Sequence, residues 1–400
     1  MPLALWSKLA STRNSWSWKF RQGTHTNPRM LPLLFTAVFA VGAPTAWADP
    51  LYVKSPPMPE AHQTLLLDLD RAGDRIVAVG QYGVIVYSDD DGLTWSQAEV
   101  PAMVTLTGVD FVDAQTGWAV GQAALILKTE DGGATWIRQH DGEMEGSIAS
   151  TLIARAERSI EEIEARMEQI DPDEDEDAYL EADDELWLAE DRLQIAEKAK
   201  YSSLQGVWFK DAKEGYAVGA YAQFYRTTDG GVSWIDWSGS IDNFESHNNA
   251  IWGNGDLVFI VGERGNLFRS RDGGKTWNQM ESPFERSLYD VFPGENGRVY
   301  TVGMVGLISY SDNQGERWTL ASVPTEFPIL SGYVAASGEA VFVGNNGTFV
   351  TERASTSGYH VHLRSDRLHI TGIVPTADGH FVISGFGGVK RVTPKGLNEQ

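Results

Sequence analysis

Ser270-Arg271-Asp272-Gly273-Gly274-Lys275-Thr276-Trp277 has the form S-x-D-x-G-x-T-W, and the chain repeats it. The same octet stands at 88–95 (SDDDGLTW), 129–136 (TEDGGATW) and 227–234 (TTDGGVSW). A worn copy, SDNQGERW, runs from 311 to 318, with Asn313 replacing the acid and Arg317 the hydroxyl residue. Asp and Ser or Thr hydrogen-bond nearby backbone N–H groups and Gly accepts a positive φ, so each octet is expected to fold as a turn between strands. The Trp then opens the next strand and brings a large apolar surface to bury. The structural residues are Ser88, Asp90, Gly92 and Trp95 in the first copy, and Thr129, Asp131, Gly133 and Trp136 in the second. Thr227, Asp229, Gly231 and Trp234 form the third set, and Ser270, Asp272, Gly274 and Trp277 the fourth.

A second register supports the first. About fifteen residues before each Trp an apolar stretch ends in Gly80, Gly121, Gly219, Gly262 or Gly303, and the series continues at Gly344 and Gly385. Successive glycines lie 41, 98, 43, 41, 41 and 41 residues apart. Fifteen residues before each stand Leu65, Leu106, Leu204, His247, Leu288, Ile329 and Ile370. Seven units of this length, each with several short β-rich runs, describe an all-β, seven-bladed β-propeller over residues 49–400. Blade seven ends without an octet, so it lacks an outer strand. Leu51-Tyr52-Val53-Lys54 is the candidate to supply it and close the ring, a three-stranded last blade being the alternative.

The one long gap holds an insertion, residues 147–200, where the β signals vanish. Ile148, Leu152, Ala156, Ile160, Ile163, Met167 and Ile170 recur at three- and four-residue spacings, as do Tyr179, Ala182, Leu186, Ala189, Leu193 and Ala196. Two seams joined at Pro172 predict an antiparallel helical hairpin. From Arg155 to Lys200 it carries eighteen acids and six bases. It reads as an arm whose acidic tip docks on a protein partner, or as a solvated hairpin that only decorates the ring.

Residues 1–48 read as a secretion signal. Lys8, Arg13, Lys19, Arg21 and Arg29 form a basic leader, Leu31 to Val41 an apolar core too short to span a bilayer, and Ala46-Trp47-Ala48 a cleavage site. Cleavage after Ala48 leaves a soluble periplasmic or secreted product, expected to be monomeric on its own. The chain has no cysteine, so disulfides, thiolate metal sites and a lipidated cysteine are excluded. Loss of the leader takes the formal charge from −23 to about −28, which argues against nucleic acid and anionic lipid as partners.

The insertion follows a fourth strand, so it leaves the ring on the face opposite the octets. The turns between second and third strands share that face. There the candidate binding residues gather: Tyr82, Tyr221, His247, Asn248, Asn249 and Arg264, around the mouth of the channel. No metal or cofactor is expected; His360 and His362 lie two apart on one strand without further ligands. Asp68, Asp110 and Asp290 lie on first strands, in different columns of the repeat.

The octets resemble the Asp-boxes of bacterial neuraminidase repeats, found in sialidases, some glucan hydrolases and sortilin-type receptors. The longer strings 117–121 (GWAVG) with 126–136 (ILKTEDGGATW), and 215–219 (GYAVG) with 225–231 (YRTTDGG), resemble the photosynthesis system II stability/assembly factor family over about residues 64–393, insertion aside. The resemblance implies a seven-bladed, exported, non-catalytic protein that binds membrane-protein partners during assembly. In non-photosynthetic bacteria it implies an association with transporters of the resistance-nodulation-division type. The alternative is a glycan-active hydrolase or a glycan-binding lectin. Sialidases, however, carry an Arg-Ile-Pro signature absent here, and a glycosidase needs two carboxylates facing each other across a cleft.

Overall fold

Each octet closes on itself through short side chains. Ser270 Oγ donates to Asp272 Oδ1 (2.7 Å) and accepts from the Gly274 N–H (2.8 Å). Asp272 accepts from the Thr276 N–H and hydroxyl (2.9 and 2.6 Å), and the Trp277 indole N–H reaches back to Gly274 O (2.9 Å). The other complete copies repeat the pattern of hydroxyl and acid. The copy at Asn313 keeps the bonds to Gly315 N and Arg317 N but has no hydroxyl at 317 to offer a further one. Gly274 has φ 90°, and a Cβ there would lie 2.4 Å from the Tyr216 ring of the preceding blade. The turn is thus also a contact between blades.

The computed structural model describes residues 48–394, apart from 145–146, 173–174, 242–245, 283, 336–338 and 354–357. The secretion signal expected at the start of the chain lies outside the described residues but for Ala48. Six antiparallel four-stranded sheets and a three-stranded seventh follow one another as blades. Their first strands are Leu66–Ala72, Leu106–Phe111, Leu204–Phe209, Asn248–Asn254, Leu288–Pro293, Ile329–Val334 and Ile370–Pro375. Each packs beside the next, and the last packs beside the first, so the ring is closed. Apolar clusters fill the spaces between blades; one joins Leu69, Ile76 and Val86 of blade one to Val374 and Val382 of blade seven.

Ring closure corrects an expectation. Leu51 and Tyr52 form part of a short 3-10 turn (Pro50–Tyr52) with Leu51 buried against blades one and two. Pro50 O accepts from the Met103 N–H and Val100 O from the Ser55 N–H. The segment therefore does not pair with blade seven, which has three strands among the described residues. A buried leucine gained more from the interblade core than from an outer edge.

The glycine column has a steric cause. A Cβ at Gly80, Gly121, Gly219, Gly262, Gly303, Gly344 or Gly385 would sit 2.0–2.5 Å from the carbonyl oxygen of the residue that leads into the neighbouring first strand. That close approach accompanies a bulge in every first strand, after Leu66, Leu106, Leu204, Asn248, Leu288, Ile329 or Ile370. In blades one and four the anchoring residue is Leu66 and Asn248, one position later than Leu65 and His247. Two-residue hairpin turns, Gly73-Asp74 and Gly255-Asp256, shorten those blades by one residue.

The insertion forms the hairpin its spacing predicts, α1 (Ile148–Met167) and α2 (Glu176–Lys200). Ala156 and Ile163 of α1 and Ala182, Ala189 and Ala196 of α2 are buried, and Arg166 pairs with Glu185 across the seam. Buried Ser147 caps α1, accepting from the Ser150 N–H (3.1 Å). Ile148 enters the core between blades two and three, where its N–H donates to the Tyr225 hydroxyl (3.1 Å).

Candidate functional site

The arm fixes which end of the ring is which. Its two legs bind the second-to-third-strand turn of blade two: Gly142 N–H donates to Ala123 O (2.7 Å) and Ala124 N–H to Ser202 O (3.0 Å). That end carries all the second-to-third-strand turns. In six of them the second residue is held in the left-handed region without being glycine: Tyr82, Ala123, Tyr221, Arg264, Val305 and Asn346, with φ between 54 and 59°. For a β-branched residue such as Val305 this is costly, on the order of 1–3 kcal/mol. Tyr82, Tyr221, Met304 and Val305 are about two-fifths to half exposed, and Phe386 in the corresponding turn of blade seven is 56 % exposed. The arm-side rim is therefore a broken crown of exposed apolar tips. Met304 and Val305 were missed in the sequence because only the polar and aromatic members of that turn column stood out, and Phe386 because it holds the first position of its turn, not the second where Tyr82 and Tyr221 stand.

The six predicted residues do not form one pocket. Tyr221 and His247 meet: the Tyr221 N–H donates to His247 Nδ1 (3.0 Å) and the rings stand edge to face at 5.1 Å. The His247 N–H donates to Glu263 Oε2 (3.1 Å), which ties this pair to the turn of Arg264. Asn248 occupies the anchoring position and is fully buried in the wall. Asn249 is its bulge neighbour and faces the channel, donating to Leu288 O of the next blade (2.7 Å). Tyr82 belongs to blade one and stands apart, its carbonyl accepting from the Ser55 hydroxyl.

The channel is a cavity of about 760 Å³, and the bulge residue of every first strand lines it, from Leu67 and Thr107 round to Thr371. Four carboxylates share the wall: Asp68, Asp70, Asp110 and Asp290. The expectation of separate columns is corrected for one pair. The shorter turn of blade one puts Asp68 and Asp290 in one column, paired with Val79 and Val302, and Asp70 and Asp110 in another. Each is engaged by the blade ahead. Val109 N–H donates to Asp68 (2.9 Å), Phe111 N–H to Asp70 (2.8 Å), Phe209 N–H to Asp110 (2.8 Å) and the Ser331 hydroxyl to Asp290 (2.9 Å).

Burial pushes the Asp68 carboxyl up to about 8, against the Val109 N–H and helped by the Asp290 charge. Burial likewise lifts Asp290 to about 7, although Ser331 favours its ionised form. Asp70 and Asp110 are raised as well, chiefly by burial, and Asp110 also feels the Asp70 charge. Carboxylates that stitch blade to blade in this way are occupied structurally. Among the described residues no three or more His, Asp or Glu side chains form a group suited to a metal ion, and no helix is long and apolar enough to cross a membrane.

Comparison with known proteins agrees with this architecture. A photosystem II assembly lipoprotein, Ycf48, of Synechococcus sp. (strain CC9902) is 27 % identical over 191 residues, 45 % of this chain and 56 % of that one. The chain thus spans little more than half the length of that relative. Among solved structures, "YCF48 bound to D1 peptide" superposes with a TM-score of 0.57 at 16 % identity, covering 83 % of this chain and 92 % of that one. A streptogramin B lyase shares the fold to a similar degree (TM-score 0.58, 12 % identity, 84 % and 94 % covered). Residues 89–154 and 189–395 match the sequence pattern of one family, broken only across the arm. On that match the chain belongs to the photosynthesis system II assembly factor YCF48 family.

Proposed function

We propose that this chain is a non-catalytic accessory factor that holds a segment of a membrane protein on the arm-side face of its ring while a larger complex is assembled or operated. The observation that carries this reading is the crown of strained tips. Tyr82, Tyr221, Arg264 and Val305 are held in the left-handed region with their side chains exposed, and such strain concentrates at binding surfaces. Aromatic and arginine side chains on rigid turns are what an interface uses as anchors. The family's assembly role supports it, as does the solved YCF48 relative bound to a D1 peptide. The client here is a photosystem subunit in a phototroph. In a non-phototroph, the family resemblance favours a subunit of a resistance-nodulation-division transporter. The leader favours an encounter in the periplasm.

The test is capture of detergent-solubilised envelope proteins by the mature chain and by a Tyr82→Ala/Tyr221→Ala/Phe386→Ala variant. Capture of a defined membrane protein is expected to fall at least tenfold while the β circular-dichroism spectrum is unchanged. Equal capture by both would overturn the reading. So would turnover of a sialoside or β-glucan that disappears in Asp110→Asn or Asp290→Asn.

A further inference from the structure

The arm carries a second apolar surface that its own fold leaves uncovered. α2 turns Ala182, Ala189 and Ala196 into the seam with α1. On its far side stand Leu180, Trp187, Leu188 and Ile195, exposed by 53, 65, 47 and 44 %. Spaced i, i+7, i+8 and i+15, they fall in one stripe roughly 100° wide, opposite the seam. A decorative hairpin has no need of this. A helix with one face already packed is normally polar on the other, and a tryptophan left mostly in water forgoes a large burial energy. Asp184 and Asp191, both exposed, lie inside the same stripe at i+4 and i+11, and exposed Glu181, Asp183 and Glu190 border it; these five acids outnumber the two exposed bases there, Arg192 at the edge and Lys198 at the C-terminal end.

We propose that this face of α2 is the docking site for a basic amphipathic helix of a partner protein. The partner's apolar residues would pack on Trp187, Leu188 and Ile195, and its Lys or Arg side chains would meet Asp184, Asp191 and the bordering acids. Charge decides the occupant. A second copy of the arm would bring its own carboxylates against these, and anionic lipid would be repelled for the same reason. A cationic helix is complementary on both counts, and a helix-on-helix contact of about four turns matches the length of the stripe. The proposal deepens the reading of the arm as a partner-binding element, yet uses none of the ring residues on which the client reading rests.

The probe is a synthetic helical peptide of about eighteen residues with leucines along one face and lysines on the other, and a counterpart with glutamates. Binding to the mature chain is followed by fluorescence anisotropy. The lysine peptide is expected to bind and to weaken as salt is raised. Trp187→Gln/Ile195→Gln should lower affinity at least tenfold. Asp184→Lys/Asp191→Lys, both exposed and so without a folding penalty, should do the same and admit the glutamate peptide. The Tyr82→Ala/Tyr221→Ala/Phe386→Ala variant should bind as the parent does. Equal binding of both peptides, or binding indifferent to the α2 changes, would overturn the proposal. So would concentration-dependent dimerisation abolished by Trp187→Gln, which would make a second copy the occupant. Loss of membrane-protein capture by ring variants with peptide binding intact separates the two readings.

Discussion

Asp272 and Asp290 are the same side chain put to opposite uses. In the octet, burial alone would raise Asp272, but the Thr276 hydroxyl and the N–H groups of the turn hold it down to about 2. Its folded value lies below the unfolded one, so its contribution to stability is present above about pH 4 and disappears as pH falls through 2. Asp290 and Asp68 run the other way. Their carboxyls stay protonated in the fold to about 7 and 8, so between pH 4 and those values the unfolded chain sheds protons that the folded chain keeps. Stability should therefore decline as pH rises through this window. Asp290→Asn is the clean probe, because the Ser331 hydroxyl can reverse its role and accept from the new amide. Chemical denaturation between pH 5 and 7 is expected to show a shallower decline in the variant, by up to ~1 kcal/mol per pH unit. An unchanged slope would show that Asp290 is ionised in the folded protein. The octet acids were legible from their turn chemistry alone. Three of the channel acids, Asp68, Asp110 and Asp290, were visible as residues while Asp70 was not, and their grouping stayed hidden because it depends on one-residue differences in hairpin length.

At the scale of the element, the arm shows which features local periodicity reveals. Its two helices and their seam follow from three- and four-residue spacing. Its fastening does not, since the Tyr225 hydroxyl that accepts from the Ile148 N–H lies on another blade. Tyr225 and Ile148 are both buried, so removing that hydroxyl leaves the first N–H of α1 without its partner. Tyr225→Phe is expected to cost about 1–3 kcal/mol. The loss should fall on the arm: hydrogen exchange should quicken through residues 148–167 while the first strands of the blades keep their protection. Uniform loosening of the ring would instead mean that Tyr225 serves the propeller core. The outer stripe of α2 also escaped the sequence. Leu180, Trp187, Leu188 and Ile195 are interleaved with acids, and such a mixture reads as a solvated face until the seam is known to lie elsewhere.

For the whole molecule, the seven-fold repeat was written in the chain but the manner of closure was not. Many repeats touch only their neighbours, and a ring gains cooperativity when its two ends become neighbours too. Here no strand from the start of the described chain completes blade seven, so the ends are joined by side chains and an apolar seam. Arg71 donates to Pro375 O (2.6 Å) and pairs with Asp91 (3.3 Å). Asp91 accepts from the Ala377 N–H through its carboxylate (3.0 Å) and from Arg391 through its carbonyl (2.9 Å). Thr371 adds a bond to Leu66 O (3.0 Å). Asp91→Ala removes the carboxylate at the centre of this join, and Asp312→Ala, which breaks the pair with Arg298 inside blade five, is the control. Both pairs are partly exposed, so loss of either should cost only ~1 kcal/mol, and Ala in place of Asp91, whose φ is 55°, adds backbone strain to that variant. The form of unfolding should differ. Urea titration of Asp91→Ala is expected to broaden, with a lower apparent m-value and early loss of protection in residues 370–392, because the open ring can fray from blade seven. Asp312→Ala should shift the midpoint with m unchanged. If both variants keep one sharp transition of the same slope, the apolar seam between Leu69, Val374 and Val382 closes the ring without help from these charges.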